Sequence, residues 1–218
     1  MNIVITGASR GIGAGLAEYY RAQGHAVIGT GRSVASQLQL DVTRPASHRE
    51  MAEALEGQAI DLLVCNAGVY LDKGDDLDSG YGADLWAQSF ATNVTGVFMS
   101  IQALLPHLRR AGSSKIAILS SQMGSDARAK AGGSGGSYIY RASKAAALNL
   151  GLNLANDLKA EGIAVGIYHP GWVQTDMGGK TAEITTQEAV EGLAARFAAL
   201  NIETTGCFEN WDGRPHAF

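Results

Sequence analysis

The chain opens on a short β-branched apolar run, Asn2 to Thr6. It breaks into Gly7-Ala8-Ser9-Arg10-Gly11-Ile12-Gly13 and then into an amphipathic stretch over about 14–22. Gly24 stands where such a helix would end, and Ala26-Val27-Ile28-Gly29-Thr30 is a second apolar strand. Strand, glycine turn, helix, strand is a βαβ unit, whose crossover is right-handed. No other feature limits the fold as much. A glycine turn at this place lets the backbone approach a pyrophosphate resting on the positive end of the helix. The spacing is Gly-x-x-x-Gly-x-Gly, and a glycine cluster on its own is equally a flexible turn. Between a first strand and a first helix it predicts dinucleotide binding, with Gly7, Ser9, Arg10, Gly11, Ile12 and Gly13 as the cradle.

The end of the second strand selects the cofactor. An NAD site usually carries an acid there to hold the ribose hydroxyls. This chain has Gly31-Arg32-Ser33 instead. Arg32 can pair with a 2′-phosphate through its planar fork, Ser33 can add a hydroxyl, and Arg10 supplies a second cation. The expectation is NADP(H) in preference to NAD. Only a few residues then separate Arg32 from the next strand, 37–40, too few for a crossover helix. That helix is expected to be shortened or absent, leaving one flank of the sheet less covered. Asp41, with Val42 beside it, is a candidate adenosine contact; a turn acid is the equal alternative.

Composition bounds the rest. The 218 residues suit one domain, 1–218, with a sizeable core. A net charge of -4 with no basic stripe argues against nucleic acid, and no apolar run reaches the length of a membrane span. The start of the chain lacks a charged lead and a small-residue cleavage site, so a secretory signal is not expected. Cys65, in a strand-like run, and Cys207 are the cysteines; a buried thiol in a reducing cytoplasm is the expected setting for Cys65.

Further strands are expected at 60–65, 115–120, 163–168 and 207–209, with helices at 45–57, 85–110, 137–158 and 186–200. The 85–110 helix should break or bend near Gly96 and Pro106. This is an α/β doubly wound sheet of about seven mostly parallel strands with helices on both faces. The acid-rich segment 70–82, with Asp72, Asp75, Asp76 and Asp78, lacks the spacing of a calcium loop and reads as solvated. A second loop spans 126–137, and its core, Ala131-Gly132-Gly133-Ser134-Gly135-Gly136, could flank a substrate cleft. Ligands in such sheets bind beyond the carboxyl ends of the strands. Gly7, Asn66-Ala67-Gly68, Ser121 and His169-Pro170-Gly171 all fall on that edge. Asn93, inside a helix, needs partners for its amide.

Tyr140 and Lys144 are four apart on the apolar helix that follows, so they share a face. Among seven tyrosines, Tyr140 alone has a lysine four residues on. A fixed cation beside a phenol favours the phenolate and lowers its pKa, which would make Tyr140 a proton donor and acceptor near neutral pH.

These residues in this order resemble the short-chain dehydrogenase/reductase family. The motifs are Thr6-Gly7-Ala8-Ser9-Arg10-Gly11-Ile12-Gly13, Asn66-Ala67-Gly68, Asn93, Ser121, Tyr140-x-x-x-Lys144 and Pro170-Gly171. Met123-Gly124-Ser125 and the run from His169 to Gly179 are similar to its carbonyl reductases of the C-factor and sniffer type. The resemblance implies that Tyr140 exchanges a proton with the substrate oxygen and that Ser121 stabilises that oxygen. It implies that Lys144 holds the nicotinamide ribose and that Asn93 fixes a water for proton relay. It places the carboxamide on the backbone at Val173 and the hydroxyl of Thr175, after Pro170-Gly171, and sets Asn66, Ala67 and Gly68 beside the adenosine. The activity implied is hydride transfer between NADP(H) and a small carbonyl or alcohol. A cofactor-binding regulatory or signalling protein with little turnover is the alternative. The apolar helices around Asn93 and Tyr140 either pair with a second subunit, as a homodimer or homotetramer, or simply cover the sheet.

Overall fold

The computed structural model describes residues 1–131 and 135–218. Residues 132–134 of the Gly/Ser-rich loop, expected to flank the cleft, lie outside the described residues.

Seven strands form one parallel sheet. In chain order they are β1 (Asn2–Ile5), β2 (Ala26–Gly31), β3 (Leu38–Gln39), β4 (Leu62–Cys65), β5 (Ser114–Leu119), β6 (Ile163–His169) and β7 (Phe208–Asn210). Their spatial order is β3-β2-β1-β4-β5-β6-β7, and each neighbouring pair is parallel. The chain moves outward from β1 to β3, then returns to the other side of β1 to lay down β4. The order therefore reverses between β1 and β4, and the crevice of an open α/β sheet opens at such a point. Gly7 and Asn66 stand at its two lips.

Helices cover both faces, because parallel strands need crossovers and their apolar side chains point both ways. Helix α1 (Gly11–Ala22) and helix α7 (Thr186–Ala199) lie on one face, over Ile3, Ile5, Leu62, Val64, Ala117 and Tyr168. Helices α2 (Pro45–Ala54), α4 (Gly96–Arg110) and α6 (Tyr138–Leu158) cover Val4, Leu63, Cys65, Ile116, Ile118 and Val165 on the other. Strands β4 and β6 are buried throughout, as expected of continuous apolar runs. Each fully buried aliphatic side chain contributes roughly 1.5–3 kcal/mol. Cys65 is buried and free, and burial pushes its thiol up to about 12.

The expected gap in the alternation is present. Residues 32–37 join β2 to β3 as a turn. The uncovered flank is a groove of about 440 Å³ between α1 and this connection, lined by Ser9, Ala17, Arg21, Gly29, Ser33 and Gln37.

Three readings need correction. Pro106 does not break its helix: α4 runs through it to Arg110. The irregularity lies earlier, where Ala91–Thr95 form a π-helical turn between α3 (Ala83–Phe90) and α4. Part of the 126–137 loop is also helical. A short α5 (Asp126–Lys130) forms because the Ser125 hydroxyl accepts from the Arg128 amide and Asp126 sits in the first turn. Finally, Asp72 is not solvated. It is 0% exposed, for reasons that belong to the site.

Candidate active site

Strand β5 ends beside α6, and the distance between them is set by one residue. Gly124 lies in the turn after β5, and a Cβ there would stand 2.6 Å from both the Ala145 nitrogen and the Lys144 carbonyl carbon. Only glycine lets the helix come this close. Two hydrogen bonds hold the contact: Ser120 Oγ donates to the Lys144 carbonyl at 2.9 Å, and Lys144 Nζ donates to the Leu119 carbonyl at 2.9 Å. The Ser121 hydroxyl accepts from the Met123 amide at 3.1 Å. Its own proton is thereby left to point at Tyr140, whose phenol it faces.

Tyr140 and Lys144 are both buried, with Lys144 Nζ 5.7 Å from the centre of the Tyr140 ring. Their titration differs from the sequence reading. Burial, not the cation, dominates the phenol and pushes it up to about 12; the Ser121 hydrogen bond pulls down, and the charges of Tyr70 and Asp72 push further up. Burial likewise pulls Lys144 down to about 8. The i,i+4 spacing does bring the two residues together, but the low dielectric around them penalises both charged forms.

Asn93 sits in the π turn, a frequent mark of functional sites. Its Oδ1 accepts from the Val69 amide at 2.8 Å, and its Nδ2 donates to the Val69 carbonyl and Ser143 Oγ, both at 2.9 Å. Ser143 Oγ donates in turn to the Tyr140 carbonyl at 2.8 Å. The side-chain amide thus ties the segment after β4 to α6. Gly68 belongs to the same knot: a Cβ there would stand 3.3 Å from Asn93 Oδ1 and 3.6 Å from Lys144 Nζ.

The glycine turn is locked to the end of β4. Asn66 Nδ2 donates to the carbonyls of Thr6 and Gly7 at 2.9 Å, and Thr6 Oγ1 accepts from the Asn66 and Ala67 amides at 3.1 Å. A Cβ on Gly13 would overlap both the Asn66 amide and the Gly7 carbonyl. Helix α1 starts at Gly11 without a side-chain cap and with no acid in its first turn. A tight backbone cradle and an uncapped helix end suit the diphosphate of a dinucleotide.

The other cofactor candidates sit as follows. Arg32 and Ser33 are exposed at the end of β2, with Ser33 Oγ accepting from the Ala35 amide. Arg10 is drawn the other way: its guanidinium pairs with Asp176 at 2.5 Å, joining the glycine turn to the segment after β6. Asp41 accepts from the Thr43 amide and hydroxyl, so the turn-acid alternative is realised, and these bonds hold its carboxyl below the usual range. Val42 packs on Gly96. After β6, the chain folds back on itself. Gln174 and Ile184 are bonded through their backbones, Thr175 Oγ1 reaches the Val173 carbonyl at 3.3 Å, and Trp172 Nε1 donates to the Gly178 carbonyl at 2.8 Å.

These pieces enclose a cavity of about 380 Å³. Ile12, Ser121, Tyr140, Pro170, Val173 and Thr175 are among the residues that line it. Met123, His169 and Met177 also line it, as do Tyr70 and Lys73, which sequence reasoning missed. The Tyr70 ring stacks on Tyr140 with centres 4.2 Å apart, and Lys73 Nζ donates to the Met177 carbonyl at 3.2 Å. Nothing in their spacing marks them, because they arrive from elements far apart in the chain. His169 is buried and packs edge-on to His216; burial first, then His216, pulls it down to about 3, so it stays neutral. Among the described residues, no cluster of three or more His, Cys, Asp or Glu could hold a metal, and no helix is long and apolar enough to cross a membrane.

A reversed parallel sheet with a glycine cradle at its switch point, and a buried Ser–Tyr–Lys group at the same edge, defines a Rossmann-type fold. Residues 1–186 match the short chain dehydrogenase family, and the chain belongs to it. C-signal of Myxococcus xanthus is 39% identical over 158 residues, which are 71% of this chain and 90% of that protein. The NADPH-bound carbonyl reductase from chicken fatty liver superposes with a TM-score of 0.88 at 30% identity, covering 100% of this chain and 98% of the other. The carbonyl reductase Sniffer of D. melanogaster gives 0.92 at 26% identity, covering 100% and 99%. Within the family the chain sides with the carbonyl reductases.

Proposed function

We propose that this chain is an NADP(H)-dependent oxidoreductase of small carbonyl or alcohol substrates, with Tyr140 as general acid and base. The observation that carries the reading is that Ser121 and Tyr140 line one cavity with residues of the segment Pro170 to Thr175, while the Lys144 ammonium is held 5.7 Å from the Tyr140 ring by the Leu119 carbonyl. The NADPH-bound chicken reductase supports the choice of cofactor. The cradle from Gly7 to Gly13 would hold the diphosphate, Arg32 and Ser33 the 2′-phosphate, and Lys144 the nicotinamide ribose. Val173 and Thr175 would orient the carboxamide. The nicotinamide, when bound, supplies or accepts the hydride.

The protein's part is position and proton. Ser121 would hydrogen-bond the substrate oxygen through its hydroxyl and stabilise the charge that develops there, keeping its own proton. Tyr140 gives its phenolic proton to that oxygen in reduction and takes it back in oxidation. A phenol held high by burial stays protonated but is a weak acid, so the Lys144 cation and the bound cofactor would have to favour the phenolate as the proton moves.

The test is NADPH absorbance with a panel of aldehydes and ketones, wild type against Tyr140→Phe. A loss of ~100-fold or more in turnover is expected on removing a general acid. Equal rates would refute the assignment. No NADPH oxidation by the wild type over a broad panel, with NADPH still bound, would favour a regulatory protein of the same fold.

A further inference from the structure

Asp72 is the least expected residue in the site. It lies beyond β4, two residues after Tyr70, and is fully buried with no cation paired to it among the described residues. A buried carboxylate without compensation is costly. Its compensation is the start of α6. Asp72 Oδ2 accepts from the Ile139 amide at 2.8 Å, and its two oxygens accept from the Tyr140 amide at 3.2 and 3.3 Å. These are two of the free N–H groups that every helix leaves in its first turn, and the positive end of the helix favours the charge.

The residue that should have capped this helix does not. Ser137 occupies the N-cap position in a left-handed conformation, φ 52° and ψ 39°, and its side chain makes no bond to the helix. Its hydroxyl bonds instead to the Tyr70 phenol. Tyr70 in turn lies stacked on Tyr140, with centres 4.2 Å apart and planes 20° apart. One three-residue segment, Tyr70 to Asp72, therefore grips Tyr140 twice: Asp72 holds its backbone amide, and Tyr70 holds its ring.

We propose that Asp72 and Tyr70 are positioning residues for the Tyr140 phenol, forming a clamp from the segment after β4 that aims it into the cavity. The inference rests on the reading of Tyr140 as the proton donor. Side-chain rotation about Tyr140 is the freedom that would otherwise misplace its hydroxyl. The stack removes it, and the amide bonds fix the backbone from which it starts. Misplacement of about 1 Å is enough to cost ~100-fold in rate. The clamp is also electrostatic. The Asp72 charge opposes the phenolate, so it favours the protonated phenol. The other titratable groups on this cavity are Lys73 beside Asp72, His169 from the end of β6, and Glu183 from the segment before α7; Lys144, from α6 itself, has its Nζ 5.7 Å from the centre of the Tyr140 ring.

The test is Asp72→Asn in the full chain, with NADPH and a carbonyl substrate and with the reverse alcohol oxidation followed against pH. Asn keeps one acceptor but turns an N–H toward an amide and loses the charge. The plateau kcat is expected to fall about tenfold or more while the KM of NADPH stays within about twofold. The pH break that reports Tyr140 in alcohol oxidation is expected to move to lower pH, because a negative neighbour has gone. A folded Asp72→Asn protein with plateau and break both unchanged overturns the proposal. A lower plateau with an unmoved break overturns it too, since loss of helix order alone gives that pattern. Should Asp72→Asn not fold, Tyr70→Leu decides the question: a lower kcat with Tyr70→Phe restoring most of it supports the clamp, and wild-type kcat in Tyr70→Leu sinks it. Tyr140→Phe is measured alongside. If that variant keeps full turnover, the proton-donor reading has failed rather than the clamp.

Discussion

Lys144 Nζ donates to the carbonyl of Leu119 at 2.9 Å, so a buried cation is held against the last residue of β5. Burial has drawn its pKa down to about 8. In an unfolded chain a lysine titrates near 10.4. Holding the proton in the native state therefore costs stability below about pH 8, and the cost is relieved as pH rises toward the unfolded value. Lys144→Met is expected to stabilise the ligand-free protein at pH 7 by about 2 kcal/mol, after the lost hydrogen bond is subtracted. The gain should shrink between pH 8 and 10, while activity is lost at every pH. Urea melts at a series of pH values, paired with NADPH assays, check both parts. A Lys144→Met protein that is less stable at pH 7 would show that the carbonyl contact outweighs desolvation.

Gly124 sets the approach of α6 to β5. Gly124→Ala places a methyl 2.6 Å from the helix backbone, where no flexible side chain can yield. The expected cost is about 1–3 kcal/mol, typical of overpacking. The helix must move away from Ser121, so kcat should fall about tenfold or more even in the folded fraction. Thermal melts and kcat measured well below the melting temperature separate the two effects.

The two arginines nearest the cofactor cradle should behave differently. Arg32 has no ion pair among the described residues, whereas Arg10 is paired with Asp176. Arg32→Ala is expected to raise the KM of NADPH more than about tenfold and leave that of NADH nearly unchanged, as removal of a phosphate partner does. Arg10→Ala should shift the NADPH/NADH ratio by much less. A larger shift from Arg10 than from Arg32 would move the phosphate contact to the glycine turn.

His169 gives the protein an acid weakness. Its folded pKa, about 3, lies well below the ordinary histidine value near 6.5. Between these values the unfolded chain binds a proton that the native protein does not, so stability falls as pH falls through that window. The slope from this one group is about 1.4 kcal/mol per pH unit. His216, also pulled down mainly by burial, adds to it. His169→Gln should flatten the fall in stability between pH 6 and 4, read from denaturant midpoints. An unchanged slope would mean that other groups carry the acid sensitivity.

What the sequence determined by itself was the order of elements and which candidate site residues meet at one edge of the sheet. The period-two and continuous apolar runs, the glycine turn and the i,i+4 pair are local signals, carried by neighbours in the chain. They were enough to place β1, α1 and β2, to foresee the missing crossover at 32–37, and to bring Ser121, Tyr140 and Lys144 to one edge. Tertiary structure decided how those groups are held and charged. Asp72 read as one acid among several in a polar loop, yet the fold buries it under the first turn of α6, a contact spanning 67 residues of chain. Arg10 looked free for a phosphate until the segment after β6 brought Asp176 to it across 166 residues. The Tyr140 phenol was expected to fall in pKa beside a cation, and it rises. Charge pairing can be read from spacing, but desolvation depends on everything packed around the group, and that exists only once the chain has folded.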